Sequence, residues 1–227
     1  PVILYDQVGS GQSSHPSPES VTWSLDLFLA ELDNLIEVLD IGNNFDLVGH
    51  SWGGILATEY IIRSKNPGLK HLILSDSLPS TSLWDQSESS LLSTFPDSVQ
   101  NDVAVGFSDP TRYRAGLDIF FGVHGCTVIP WPKVLNISFD SLFADPTSSI
   151  EMGPVLSTWS IIHRLHEIQT PTLVLNGAAD ISQDIVNQPF LDYIPDVLHY
   201  KFLNSSHTPM LEETVDYLSS IQQFLSK

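Results

Sequence analysis

Basic residues are scarce in this chain: 9 Lys and Arg stand against 27 Asp and Glu over 227 residues, a formal net charge of −18. Recognition of phosphate backbones needs clustered cations, so nucleic acid is excluded as an expected partner, and so is an anionic membrane surface. Cysteine is scarcer still. Cys126 is alone, which rules out an intrachain disulfide and suits a reducing compartment. No apolar run reaches the roughly 18 residues of a membrane span, and no signal peptide is visible within these residues. Together these absences lead to the expectation of a soluble, cytoplasmic protein. The first residue is Pro1 rather than methionine, so the natural start of the chain is expected to lie upstream.

A serine between two glycines carries the chemistry that the composition leaves open. Phe45-Asp46-Leu47-Val48 reads as a strand, Gly49-His50-Ser51-Trp52-Gly53 as a sharp turn, and Gly54-Ile55-Leu56-Ala57 as the opening of a helix. The glycines flanking the serine are expected to let strand and helix approach closely, with the Ser51 hydroxyl projecting above a helix N-terminus. A serine hydroxyl needs a base, normally an imidazole, which in turn needs an acid to hold its tautomer. Asp180 follows the apolar run Thr172-Leu173-Val174-Leu175, and His207 follows a predicted strand over His199 to Leu203. The chain order Ser51, Asp180, His207 is that of hydrolases built on this serine turn, with the Trp52 backbone N–H as an oxyanion donor. Asp184 is a rival acid and reads better as helix surface. His50 is a rival base, expected to leave the turn on the far side from the serine and to pack.

Around that motif, strands and helices alternate. Pro1-Val2-Ile3-Leu4-Tyr5 reads as a strand entering the loop Asp6 to Ser13, whose Gly9-Ser10-Gly11 lacks the third glycine of a dinucleotide fingerprint. A helical stripe runs from Val21 to Leu39, with Ser20 as its cap and Gly42 as its stop. A helix to about Arg63, a strand from about Lys70 to Leu74, a helix near Asp184 to Tyr193 and a final helix from Thr214 to Leu225 complete the set. Largely apolar strands separated by helices predict an α/β fold: a doubly wound, mostly parallel sheet covered on both sides. Between Ser77 and Glu167 the texture changes to scattered aromatics and prolines, which predicts a helical cap. The expected organisation is a core over residues 1–76, a cap over 77–167 and the rest of the core over 168–227. His163 and His166 lie three apart without a third ligand nearby, and neither a metal nor an organic cofactor is expected.

The loop Tyr5-Asp6-Gln7-Val8-Gly9-Ser10-Gly11-Gln12-Ser13, the serine motif, the stretch Phe120 to Cys126 followed by Pro130-Trp131-Pro132, and the Asp and His loops together resemble the prolyl aminopeptidase branch of the α/β-hydrolase superfamily. The resemblance implies a serine peptidase or amidase that forms an acyl-enzyme and releases an N-terminal residue, acting on a small molecule or short peptide. Ser51 would be its nucleophile, His207 its base and then acid, and Asp180 the orienter of His207. Trp131, Phe120 and Glu151 are the expected substrate contacts. The chain departs from that branch in two ways. A His-Gly-Gly-Pro-Gly loop ahead of this region, which carries a second oxyanion donor, does not occur, so either the chain is N-terminally shortened and lacks the first strands or something else fills the gap. Ile181 and the apolar Met152 to Leu156 stand where carboxylates would hold a substrate ammonium, with Glu151 as a nearby substitute. An esterase or amidase acting on a small neutral substrate, and a noncatalytic hydrolase-like binding module, are the alternative expectations.

Overall fold

The computed structural model describes residues 1–144 and 156–226. Its centre is a four-stranded sheet in the order β1 (Phe45–His50), β2 (Leu69–Ser75), β3 (Thr172–Gly177), β4 (Val197–Phe202), each pair parallel. Parallel neighbours need crossovers, and the chain supplies helices for them. The α1 helix (Leu25–Val38) precedes β1, and α2 (Trp52–Ser64) joins β1 to β2. A long helical excursion joins β2 to β3, α7 (Asp184–Tyr193) joins β3 to β4, and α8 (Pro209–Glu212) and α9 (Thr214–Leu225) follow β4.

Alternation along the strands sorts their side chains onto two faces. Leu72, Leu74 and Val174 turn toward α1, α2 and α7, where they meet Phe28, Leu32, Ile55, Tyr60, Val186 and Phe190 in the larger core. Their sequence neighbours Ile73, Leu173 and Leu175 turn the other way and pack with Phe202, Tyr217 and Phe224 against α9. The continuous apolar runs thus mark strands buried on both faces, as expected for a doubly wound sheet. The two outer strands are the exceptions, because Val48 on β1 is 49% exposed and Leu198 and Tyr200 on β4 are 43% and 45% exposed.

Several local expectations need correction. Pro1 to Tyr5 forms no strand: Val2 and Leu4 stay exposed, because a strand exists only through a neighbour and none of the described residues pairs with this run. The cap of α1 is Ser24, whose hydroxyl accepts from Leu27 N at 3.3 Å, rather than Ser20, which belongs to a short 3-10 turn. That helix ends at Val38, with Leu39 as its C-cap and Asp40 at φ 54°, before Gly42 is reached.

Between β2 and β3 the described chain is helical: α3 (Thr81–Leu92), α4 (Asp97–Ala104), α5 (Pro110–His124) and α6 (Lys133–Ala144), then a 3-10 segment, Ile162–Glu167. The two ends of this excursion meet at an antiparallel bridge, Ser80 with Ser160, flanked by Thr81 N to Trp159 O and Ile161 N to Pro79 O. Trp159 Nε1–H donates to Glu59 on α2 at 2.7 Å, which fastens this neck to the core. A hydrogen bond to a buried carboxylate contributes about 1.5–3 kcal/mol, so the indole is an anchor as well as a packing unit. Among the described residues, no helix is long and apolar enough to cross a membrane.

Candidate active site

Strand register brings the site together. His50 pairs with Ser75 across β1 and β2, Ser75 with Leu175 across β2 and β3, and Gly177 with Phe202 across β3 and β4. The C-terminal ends of all four strands therefore lie along one rim, and the residues that follow them, Ser51, Asp76, Asp180 and His207, come from four separate loops. Ligand crevices of open parallel sheets form at this end, because the chain leaves the sheet there and its loops are free to vary.

Ser51 sits at φ 52° and ψ −119°, a conformation that costs a non-glycine residue about 1–3 kcal/mol and persists only where its surroundings impose it. Here they do. Ser51 N donates to Ser75 O at 2.9 Å, and Ser51 O accepts from Gly54 N at 2.9 Å and from Ser77 Oγ at 3.0 Å. The backbone is thus held at both ends, while the hydroxyl itself makes no hydrogen bond among the described residues. Ser51 is the N-cap of α2 and Trp52 its first residue, so the Trp52 N–H has no intrahelical acceptor and stays available to an anion.

The glycines act differently from the expectation. A Cβ on Gly49 would lie 2.3 Å from Gly53 O, and one on Gly54 would lie 2.0 Å from Ser77 Oγ, whereas one on Gly53 meets nothing within 4 Å. Crowding therefore falls on Gly49 and Gly54, because the helix turns its Gly54 side toward β2 and its Gly53 side outward. Gly49→Ala is expected to destabilise the protein by about 1–3 kcal/mol through overpacking against backbone. Gly53→Ala is expected to be neutral or to stabilise by about 0.5–1 kcal/mol through reduced unfolded-state entropy. Thermal melts of the two variants check the contrast, which fails if both lose stability equally.

His207 and Asp180 form the clearest polar contact on the rim. His207 Nδ1–H donates to Asp180 Oδ1 at 2.7 Å, with Asp180 fully buried and His207 only 9% exposed. Gly177 makes this approach possible, since a Cβ there would lie 2.1 Å from Ser206 O. Ala178 N to Phe202 O and Ala179 N to Ser205 O then bind the Asp loop to the His loop. Asp184, the rival acid, is 76% exposed and pairs with Lys201, away from the imidazole.

His50 does not turn away from the site. Its Nε2–H donates to the His207 carbonyl at 2.8 Å, and the two rings lie 4.8 Å apart. Burial, followed by the nearby His207, lowers its pKa to about 4, so at neutral pH it is an uncharged donor with Nε2 already engaged. On the other side of His207 stands Trp84 from α3, edge-on at 5.5 Å. The imidazole is thus held between two rings, with Nδ1 committed to Asp180.

The serine turn is also tied to the loop before it, where Trp52 Nε1–H donates to Gln7 Oε1 at 3.0 Å. That loop wraps around its own Asp6, which accepts from Gln12 N at 2.8 Å, while Val8 N is taken by Glu31 at 2.8 Å. Carboxylates occupy these N–H groups, so the loop is not arranged as a phosphate cradle.

Phe120 is 1% exposed and packs with Phe95, Phe121 and His124 inside the helical excursion. Trp131 is half-buried, donating to Cys126 O at 3.0 Å and packing on Phe139. Neither ring is joined to Ser51 or His207 by a hydrogen bond or ring contact among the described residues, and Glu151 lies outside those residues. The aromatic cluster nevertheless reaches the rim through His124, which donates from Nδ1 to Ala179 O at 2.7 Å. His163 and His166 are both exposed on the 3-10 segment.

Glu212 escaped the sequence reading. Its carboxylate accepts from Ser206 N at 2.9 Å, Ser206 Oγ at 2.7 Å and Thr208 N at 3.2 Å, and from Thr127 N and Oγ1 at 2.8 Å each. It braces the His loop and couples it to the segment after α5. Thr208-Pro209 followed by an acid is a helix-start pattern that carried the signal.

Comparison with known proteins agrees with this architecture. Residues 1–120 match the family described as alpha/beta hydrolase fold. A proline iminopeptidase of Clostridioides difficile (strain 630) is 30% identical over 239 residues, spanning 99% of this chain and 80% of the relative. Among solved structures, VinJ superposes with a TM-score of 0.88 at 32% identity, covering 98% of this chain and 79% of that one. A proline iminopeptidase of Mycobacterium smegmatis superposes with a TM-score of 0.85 at 30% identity, covering 98% and 78%. From rim geometry, sheet topology and these likenesses together, the chain belongs to the alpha/beta hydrolase fold family as a prolyl aminopeptidase-like hydrolase.

Proposed function

We propose that this protein is a serine hydrolase that works through an acyl-enzyme, with Ser51 as nucleophile, His207 as base and then acid, and Asp180 as the group that orients His207. The observation that carries this reading is the buried 2.7 Å hydrogen bond from His207 Nδ1 to Asp180, on a ring that lies tilted against His50, the residue preceding Ser51. With Nδ1–H donated to the carboxylate, Nε2 carries the lone pair, which is the tautomer that can take a proton from a hydroxyl. Ser51 and His207 are not hydrogen-bonded to each other in the free protein, and such contacts commonly tighten only once substrate is present.

Attack of Ser51 Oγ on a carbonyl carbon forms a tetrahedral species as the hydroxyl proton passes to His207 Nε2. The oxyanion meets the free Trp52 N–H at the start of α2, where the helix dipole favours negative charge. Collapse expels the amine, which takes the proton from His207. Water then repeats the sequence to release the acid and restore Ser51. Asp180 stabilises the imidazolium in both halves without becoming protonated itself.

The proline iminopeptidase likenesses support an N-terminal residue, proline first, as the group released from a short peptide. A fluorophosphonate probe followed by peptide mapping tests the nucleophile, with a single adduct on Ser51 expected. Hydrolysis of proline naphthylamide, its N-acylated form and a short aryl ester tests the substrate class. Preference for the free amine is expected; turnover of only the blocked amide or the ester would replace the aminopeptidase reading with an amidase or esterase one.

A further inference from the structure

A second carboxyl group lies behind the first. Asp76 follows β2 at φ 50° and is as completely buried as Asp180. Side-chain atoms of Asp76, Asp180 and His207 all lie within 4.8 Å of one another. Asp76 is held on three sides: its N–H donates to Leu175 O at 2.7 Å, Gly177 N donates to its Oδ1 at 3.1 Å, and Ser75 Oγ donates to its Oδ2 at 2.6 Å. Tyr217 on α9 extends the relay by donating to Ser75 Oγ at 3.2 Å. Asp180 receives His207 on Oδ1, yet its Oδ2 is buried and has no partner unless a neighbouring group donates to it.

Two fully buried carboxylates cannot both stay charged at such a distance, since no cation beside them compensates either charge. A buried acceptor left without a donor costs about 1–3 kcal/mol, and more when it carries charge. One proton shared by the pair removes both penalties. Burial, reinforced by the adjacent Asp180, pushes the Asp76 carboxyl well above the usual range, which assigns that proton to Asp76.

We propose that Asp76 is a positioning residue of this site: a neutral acid that donates to Oδ2 of Asp180 and thereby fixes the carboxylate that orients His207. Asp180 then collects donors on both oxygens, His207 on one side and Asp76 on the other. The ionisable groups facing the pair are His207 from the loop after β4, His50 beside it from β1, and Tyr217 from α9. A cation in the same cluster would compete with the Nδ1–H of His207 for Asp180. A proton on Asp76 balances the charge and leaves that hydrogen bond intact.

This inference rests on the hydrolase reading for its kinetic consequence, but its decisive readout is the His207 ring followed by NMR, which needs no reaction at Ser51. Asp76→Asn keeps the shape and an N–H donor, and replaces a neutral acid by a neutral amide. Its His207 titration midpoint is expected to agree with that of the unaltered protein within about 0.3 pH units. Asp76→Gly tolerates φ 50° and removes the donor. It is expected to broaden or lose the downfield Nδ1–H resonance and to lower kcat about tenfold with KM within about twofold, while Asp76→Asn stays near full activity. A midpoint lowered by about one unit or more in Asp76→Asn would mean that a negative charge had been removed, and would overturn the proposal. So would a glycine variant that keeps the resonance. The asparagine titration decides the matter whether or not the glycine variant folds. Failure of the probe to label Ser51, by contrast, overturns the hydrolase reading and leaves the carboxyl pair standing.

Discussion

Replacing Ser51 by alanine is expected to lower kcat/KM by about 10⁴- to 10⁶-fold and to abolish labelling by a fluorophosphonate. The substitution removes one oxygen that makes no hydrogen bond among the described residues, and it leaves in place the three backbone contacts that impose φ 52°. Neither Ser nor Ala is at ease in that conformation, so the strain is common to both and the melting temperature is expected to stay within a few degrees. Activity and stability should therefore separate. A variant retaining more than about a tenth of the activity would assign the chemistry to another nucleophile, and one that unfolded would make the serine a structural residue. Mass spectrometry of the labelled protein and a thermal melt are sufficient to tell these outcomes apart.

Asp180→Asn is expected to be nearly as severe, with kcat falling about 10⁴-fold while binding and fold are preserved. The reason lies in the tautomer. The carboxylate accepts from Nδ1 at 2.7 Å and so leaves Nε2 with its lone pair toward the serine. An amide of the same shape can present its own N–H to Nδ1, which moves the ring proton to Nε2, where it blocks the transfer from Ser51. Asp184→Asn is the matched control, because that side chain is 76% exposed and pairs with Lys201 on the surface. It should leave kcat within about twofold, since exposed ion pairs contribute little. Equal losses in the two variants would show that the acid had been misassigned.

Much of this architecture is legible in the amino-acid sequence. The helices at Asp184–Tyr193 and Thr214–Leu225 coincide with their predicted spans, and four of the five predicted strands are the four parallel strands of the sheet. Such segments are readable because periodicity reports burial, and burial of one stripe or two faces is a property of the local chain. The fifth predicted strand, Pro1 to Tyr5, is a continuous apolar run and forms no strand, since pairing requires a second segment. The motif makes the two glycines flanking the serine equivalent, and the structure separates them: Gly49 faces backbone at 2.3 Å, Gly53 faces open space, and Gly54 carries the second close approach.

The order Ser51, Asp180, His207, the turn that exposes the first of them and the alternation that puts all three beyond strand ends are properties of the amino-acid string, because each depends on residues a few positions apart. Tertiary structure alone decided what surrounds them. Asp76 meets Gly177 across 101 residues, His50 meets His207 across 157, and Glu212 joins the His loop to Thr127 across 85. Contacts of that kind have no period and no motif. They arise when four strands settle into one register, and that register is set by the summed packing of both faces of the sheet.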